Sequence, residues 1–397
     1  MEAILMPTDN CPNMEEMQLH TSIKKPVNCY SSGKGDTFVS LLEATPYESY
    51  KEDLDRANIL LAACLANMAY KEHGKLRRAL QTKLVDIIKA LEGYKGSGEL
   101  HLRLIKGFTL MLSPSTAQKA DTFFVSILKQ KSNHILALIG RGCLAFDRQD
   151  YIGSLGYFKS VLMADPRGPA DVRVGIAHCF WRMGDLNRAR QLFEMALEQN
   201  SRCINALIGM AILKLNQGDK RPYNEGLSLL EKAFQIDKQH SSTLSNLATH
   251  YYSIGDHLMV LRLAGNAIRF TDVPELKSQL CYQVARSHHA SGEFEFAMKY
   301  YRDAVEFAPE GFVLPFMGLA QLYLRDGKFD KAKICLRYFL KFLPNESNAM
   351  RLLDRINLNK RSNESWKNLP KKSTAKNSTK RGASKESDKG LAKKPKS

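Results

Sequence analysis

Apolar and polar residues follow one another along most of this chain with a helical period, and the pattern itself recurs. In residues 171–201, DVRVGIAHCFWRMGDLNRARQLFEMALEQNS, two amphipathic stretches flank Gly184-Asp185, where glycine stops the first helix and aspartate starts the second. A small residue or its substitute marks one fixed place in each second helix: Ala120, Ser154, Ala189, Gly226, Val260, Ala297 and Ala332. The successive gaps are 34, 35, 37, 34, 37 and 35 residues. Four residues further on stands a knob, Phe124, Phe158, Phe193, Leu230, Ala264, Tyr301 or Leu336, and Pro166, Pro309 and Pro344 close three of the units. Seven units in near-constant phase predict a tandem array of helix pairs.

The pattern matches the 34-residue tetratricopeptide repeat (TPR), in which small residues let two helices approach and bulky ones fill the space around them. In residues 171–201 the small pair is Ala177 and Ala189, with Ile176, Phe180 and Phe193 as bulk; Arg173 at position 4 departs from the pattern. The expected fold is all-α, a right-handed α-solenoid of TPR helix pairs whose first helices line a concave groove. The expected order is an irregular segment at 1–32, N-terminal helices with a degenerate TPR at 33–100, and an array of about seven repeats at 101–346. A capping helix at 347–358 and a disordered basic tail at 359–397 complete it.

Four stretches carry a closer resemblance: DPRGPADVRVGIAHCF (165–180), NALIGMAILKLN (205–216), CYQVARSHH (281–289) and FVLPFMGLAQLY (312–323). They resemble the N-terminal third of the large TPR subunit of the RNA polymerase II-associated factor (PAF) complex, over residues 33 to 355. That resemblance implies a nuclear scaffold that holds the other subunits of the complex. It also implies travel with the RNA polymerase II elongation complex and support for transcription elongation and histone modification. The family's later repeats and long charged C-terminal helix have no counterpart here, which implies a short paralogue or a truncated isoform. The alternative is a stand-alone TPR adaptor or an assembly chaperone for another nuclear complex.

Groove-facing first-helix positions supply the candidate partner-binding residues. Position 6 is Gly140, Gly175, Gly209 and Gly318; positions 9, 12 and 13 supply His178, Trp181 and Arg182, Tyr252, Arg286 and His289, and Arg325. A helix-interior glycine costs ~1 kcal/mol relative to alanine, so four in register invite a reason. One is a side-chain-free strip for a partner segment, the other close packing against the adjacent repeat. Aromatics and arginines on a concave face are enriched at binding hot spots; packing between neighbouring helices is the other account of Trp181 and Tyr252. The carboxylate clamp of chaperone-binding repeats is not expected. Position 5 reads Ile139, Val174, Ile208, Ser245, Tyr282 and Met317, and Asn246 stands alone.

Charge adds a second feature. Of the net charge of +17, residues 360–397 hold +10, from thirteen Lys and Arg against Glu364, Glu386 and Asp388. The array is therefore only mildly basic. Within the tail, Lys380-Arg381 and Lys393-Lys394-Pro395-Lys396 have the form of a two-part nuclear-import signal read by an importin. Nonspecific, salt-dependent nucleic-acid contact is the other use of such a tail. Eight cysteines without a C-x-x-C pair suggest free thiols in a reducing compartment, and no apolar run of membrane-spanning length occurs. The expectation is a soluble nuclear protein with no membrane contact. Ser32-Gly33-Lys34-Gly35 lacks the first glycine of a phosphate loop, and His288-His289 has no carboxylate at metal-ligand spacing. No catalytic site, cofactor or metal is expected.

Overall fold

The computed structural model describes residues 51–367, apart from 72–73, 97, 114 and 218. Lys380, Arg381, Lys393, Lys394 and Lys396, and the segment 1–32, lie outside the described residues. Seventeen α-helices and no strand are found among the described residues. They follow as α1 Lys51–Lys71, α2 Gly74–Ala90, α3 Glu99–Met111, α4 Ala117–Gln130, α5 Ile135–Asp147 and α6 Tyr151–Ala164. Next come α7 Ala170–Arg182, α8 Leu186–Gln199, α9 Ile204–Leu215, α10 Lys220–Ile236, α11 Ser241–Ser253 and α12 His257–Arg269. The series ends with α13 Pro274–Ala290, α14 Phe294–Glu306, α15 Leu314–Arg325, α16 Phe329–Phe342 and α17 Ser347–Lys367. Consecutive helices pack on one another, each pair on its neighbours, which is the one-dimensional stacking of a TPR α-solenoid.

The periodic small residues are buried where helices cross: Ala120, Ser154, Ala189, Val260, Ala297 and Ala332 are all fully inaccessible. A serine can occupy such a crossing because its hydroxyl finds an acceptor, and Ser154 Oγ donates to the Gly142 carbonyl of α5 at 2.8 Å. The knobs four residues later are equally buried, from Phe124 through Leu336. Tight turns join the two helices of a pair, with Gly184, Gly255, Gly292 and Gly327 at positive φ. In the α5–α6 turn the same left-handed backbone is carried by Gln149, at φ 65°. Asp150, Asp185 and Asp256 then cap α6, α8 and α12, accepting from the amides of Gly153, Arg188 and Met259 at 2.9, 3.0 and 3.0 Å.

The array curls enough for α2 to meet the turn ahead of α13. Buried Arg77 donates to the Leu112 carbonyl at 3.5 Å and lies 3.7 Å from Asp272. At the other end, Ala349, Leu352, Leu353 and Ile356 of α17 cover the last pair. This helix runs to Lys367, past the expected end at 358 and into the stretch assigned to the tail. Apolar periodicity stops at Leu358, but the first helix-breaking residue after Pro344 is Pro370, so the backbone has no reason to leave the helix earlier. None of the helices among the described residues is long and apolar enough to cross a membrane.

Candidate partner-binding groove

The four in-register glycines are not an open strip. Gly140 of α5, Gly175 of α7, Gly209 of α9 and Gly318 of α15 are buried, each beneath the ring of the preceding unit's knob. A Cβ on Gly140 would stand 2.6 Å from the Phe124 ring, and one on Gly175 would stand 3.0 Å from Phe158. Gly209 faces Phe193 and Gly318 faces Tyr301 more closely still. The side-chain-free strip is thus corrected to a set of seats for aromatic rings. The ring's thickness requires that the helix beneath it carry no Cβ.

The remaining candidates divide into two groups. On α7, His178 and Trp181 flank the Phe193 ring, with centroids 5.4 and 6.1 Å away, and lie near-parallel to each other at 6.3 Å. Burial pushes the His178 imidazole down to about 4, so it is neutral at pH 7. Arg182 is exposed, and its Nε donates to Tyr151 Oη of α6 at 3.0 Å, above the same ring.

The second group lies on α11, α13 and α15. Tyr252, Tyr282, Arg286, His289, Met317 and Gln321 line one cleft of about 510 Å³, with Tyr301, Gly318 and Glu346 also on its wall. The Arg286 guanidinium stacks 3.6 Å from the Tyr252 centroid and 5.6 Å from that of Tyr282. His289 Nδ1 lies 3.3 Å from Tyr301 Oη, and burial, with Arg325 second, lowers its pKa. Burial raises the pKa of the Tyr282 phenol, so it remains a neutral donor. Arg325 is outside this cleft: it lies 3.6 Å over Phe294 and 3.7 Å from Asp326, at the turn that ends α15.

The structure therefore gathers Tyr252, Arg286, His289 and Gly318 in one place and leaves His178, Trp181 and Arg182 on a separate patch around Phe193. Tyr282, Met317 and Glu346 join the cleft although they are not among the residues expected from the sequence. The first two occupy groove position 5, where the aromatic Tyr282 is the legible signal and Met317 carries none. Glu346 sits in the α16–α17 connection, outside the groove register, and only folding brings it to the wall. Among the described residues no cluster of three or more His, Cys, Asp or Glu could hold a metal ion. The six described cysteines are buried and outside any disulfide among the described residues, and burial raises Cys143 and Cys203 to about 12.

The solenoid of helix pairs, with its ring-on-glycine joints and a cleft on its first helices, has the TPR fold, and residues 278–310 match the tetratricopeptide-repeat family model. Sequence similarity narrows the class. RNA polymerase-associated protein CTR9 of Caenorhabditis elegans is 29% identical over 352 residues, covering 85% of this chain and 30% of that protein. Protein CTR9 homolog of Arabidopsis thaliana is 28% identical over 338 residues, covering 82% of this chain and 31% of that protein. These relatives bear out the resemblance to the large TPR subunit of the PAF complex. The chain spans about 30% of the length of the curated relatives it matches. Among solved structures, the Cut9 and Hcn1 hetero-tetramer of APC/C superposes with a TM-score of 0.59 at 13% identity. That match covers 83% of this chain and 64% of that one and supports the fold alone.

Proposed function

We propose that this chain is a non-enzymatic interaction scaffold of the RNA polymerase II-associated factor complex, acting in transcription elongation and co-transcriptional histone modification. Its concave face holds a segment of another subunit. The observation that carries this is the similarity to CTR9 proteins across most of the chain, combined with a cleft on the first helices lined by tyrosines and Arg286. The basic clusters at Lys380-Arg381 and Lys393-Lys394-Pro395-Lys396 serve nuclear import through an importin, with any nucleic-acid contact secondary.

The test is affinity purification of the tagged full chain from nuclear extract, followed by mass spectrometry. Recovery of polymerase-associated factor subunits is the expected result. Their absence beside another stable client would replace the scaffold with a stand-alone adaptor or assembly chaperone. For the tail, a fluorescent fusion lacking 380–397 should lose nuclear accumulation, and retained accumulation would remove the import role.

A further inference from the structure

We infer that the cleft between α11, α13 and α15 is a recognition site for an acidic side chain, Asp or Glu, followed by a bulky apolar residue in a partner segment, with Arg286 as its anchor. The inference rests on the concave face being a protein-binding groove, and it names the chemistry the groove selects.

Arg286 is the reason. Stacking between Tyr252 of α11 and Tyr282 of its own helix holds the guanidinium plane in place before any ligand arrives. Its Nε is buried and has no hydrogen-bond partner. No salt bridge engages its guanidinium among the described residues, although other arginines of the array are paired, Arg141 with Asp121 and Arg325 with Asp326 among them. A buried, unsatisfied N–H on a fixed cation is a standing cost that an incoming carboxylate would remove, and the planar fork suits a carboxylate better than any neutral acceptor.

The rest of the cleft defines what accompanies the acid. Met317, Leu314, Leu343 and Phe339 form an apolar wall beside Arg286, while Gln321 and the Tyr282 hydroxyl supply polar contacts. His289 faces Tyr301 through Nδ1, which leaves its Nε2 for a ligand. Glu346 is the acidic group on the wall; it opposes an anionic ligand and so limits affinity.

The experiment uses the purified full chain and two fluorescein-labelled peptide pools, random octamers with a fixed central Glu-Leu or Gln-Leu pair, read by anisotropy. The Glu-Leu pool should bind about tenfold more tightly, with a preference that shrinks as salt is raised. Arg286→Gln should erase the difference between pools, Arg286→Lys should keep a small part of it, and Glu346→Gln should widen it about threefold, each at unchanged helicity by circular dichroism. Equal affinity for the two pools, binding of neither, or a preference that survives Arg286→Gln overturns the inference. The purification experiment is scored separately. A chain that captures the polymerase-associated subunits but treats the pools alike loses this inference and keeps the functional proposal. A chain that prefers the Glu-Leu pool but captures another client does the reverse.

Discussion

The joints around α4 to α9 and the joint between α11 and α13 meet the same packing requirement with opposite side chains. In the first region a phenylalanine knob fills the junction between repeats and the next helix answers with glycine: Phe124 on Gly140, Phe158 on Gly175, Phe193 on Gly209. In the second region the knob of α12 is only Ala264, and the next first helix carries Gln283 at the glycine register. Gln283 is 7% exposed, and its Nε2 donates to the Ser245 carbonyl at 3.1 Å and to Thr249 Oγ1 at 2.8 Å, both on α11. The three phenylalanine joints are closed by fully buried rings, whereas the fourth ring-on-glycine pair, Tyr301 on Gly318, borders the cleft. The polar joint leaves unsatisfied groups, Gln283 Oε1 and Arg286 Nε, beside the cleft. Buried aromatic bulk thus marks the joints of the first region, and unsatisfied polar groups beside a cleft mark the joint of the second.

The largest expected effect breaks a closed joint. Phe193→Ala removes a fully buried ring that Gly209, His178 and Trp181 all surround, and should cost ~3–5 kcal/mol in urea unfolding of the array. Ala264→Gly, at the equivalent place in the polar region, removes one methyl and should cost only ~1 kcal/mol through helix propensity. Similar losses at the two sites would contradict the division.

The next effect depends on pH. His178 is held at about 4 by burial against Phe193, below its ordinary value of 6.5. Between these values the unfolded chain binds the proton and the folded one does not, so stability rises with pH across this window. The contribution is complete above about pH 6.5 and is lost as pH falls towards 4, an amount of ~3 kcal/mol. His178→Gln should flatten the melting-temperature profile over that range. An unchanged slope would place the imidazole in water.

A smaller effect tests the seats themselves. Gly209→Ala sets a Cβ against the Phe193 ring and should destabilise by ~1–3 kcal/mol, and Phe193→Leu in the same chain should recover part of it. Additive losses would mean that ring and glycine do not meet. The same pair of columns shows how much of the molecule could be read from sequence. The small residue and the knob of each second helix were legible because both lie on one helix at fixed spacing. The glycines were legible as a column, but what covers each belongs to the preceding unit, and a glycine alone does not distinguish a seat from an opening. Setting the knob column beside position 6, aromatic with glycine and Ala264 with Gln283, contains that information. Glu346 and the end of α17 were not legible, since one is placed by the path of a loop and the other extends through Asn359 to Lys367, mostly polar residues without apolar periodicity.

The smallest prediction concerns the turn inside the closed region. The later turns use Gly184, Gly255, Gly292 and Gly327 at φ between 71° and 87°, whereas Gln149 holds φ 65° with a side chain attached. Its amide still bonds to the Phe146 carbonyl at 2.9 Å, so the turn is formed and the Cβ strain is carried locally. Gln149→Gly relieves that strain but adds backbone freedom to the unfolded chain, and the two oppose each other. Left-handed strain of ~1–2 kcal/mol against a glycine entropy cost of ~0.5–1 kcal/mol leaves a net gain of ~0.5–1 kcal/mol. A rise in urea midpoint at constant slope would express it, and the same substitution should leave peptide binding at the α11–α15 cleft unchanged. A loss of stability would show that Gln149 makes contacts worth more than the strain it carries, and that the closed region depends on its turns as well as its rings.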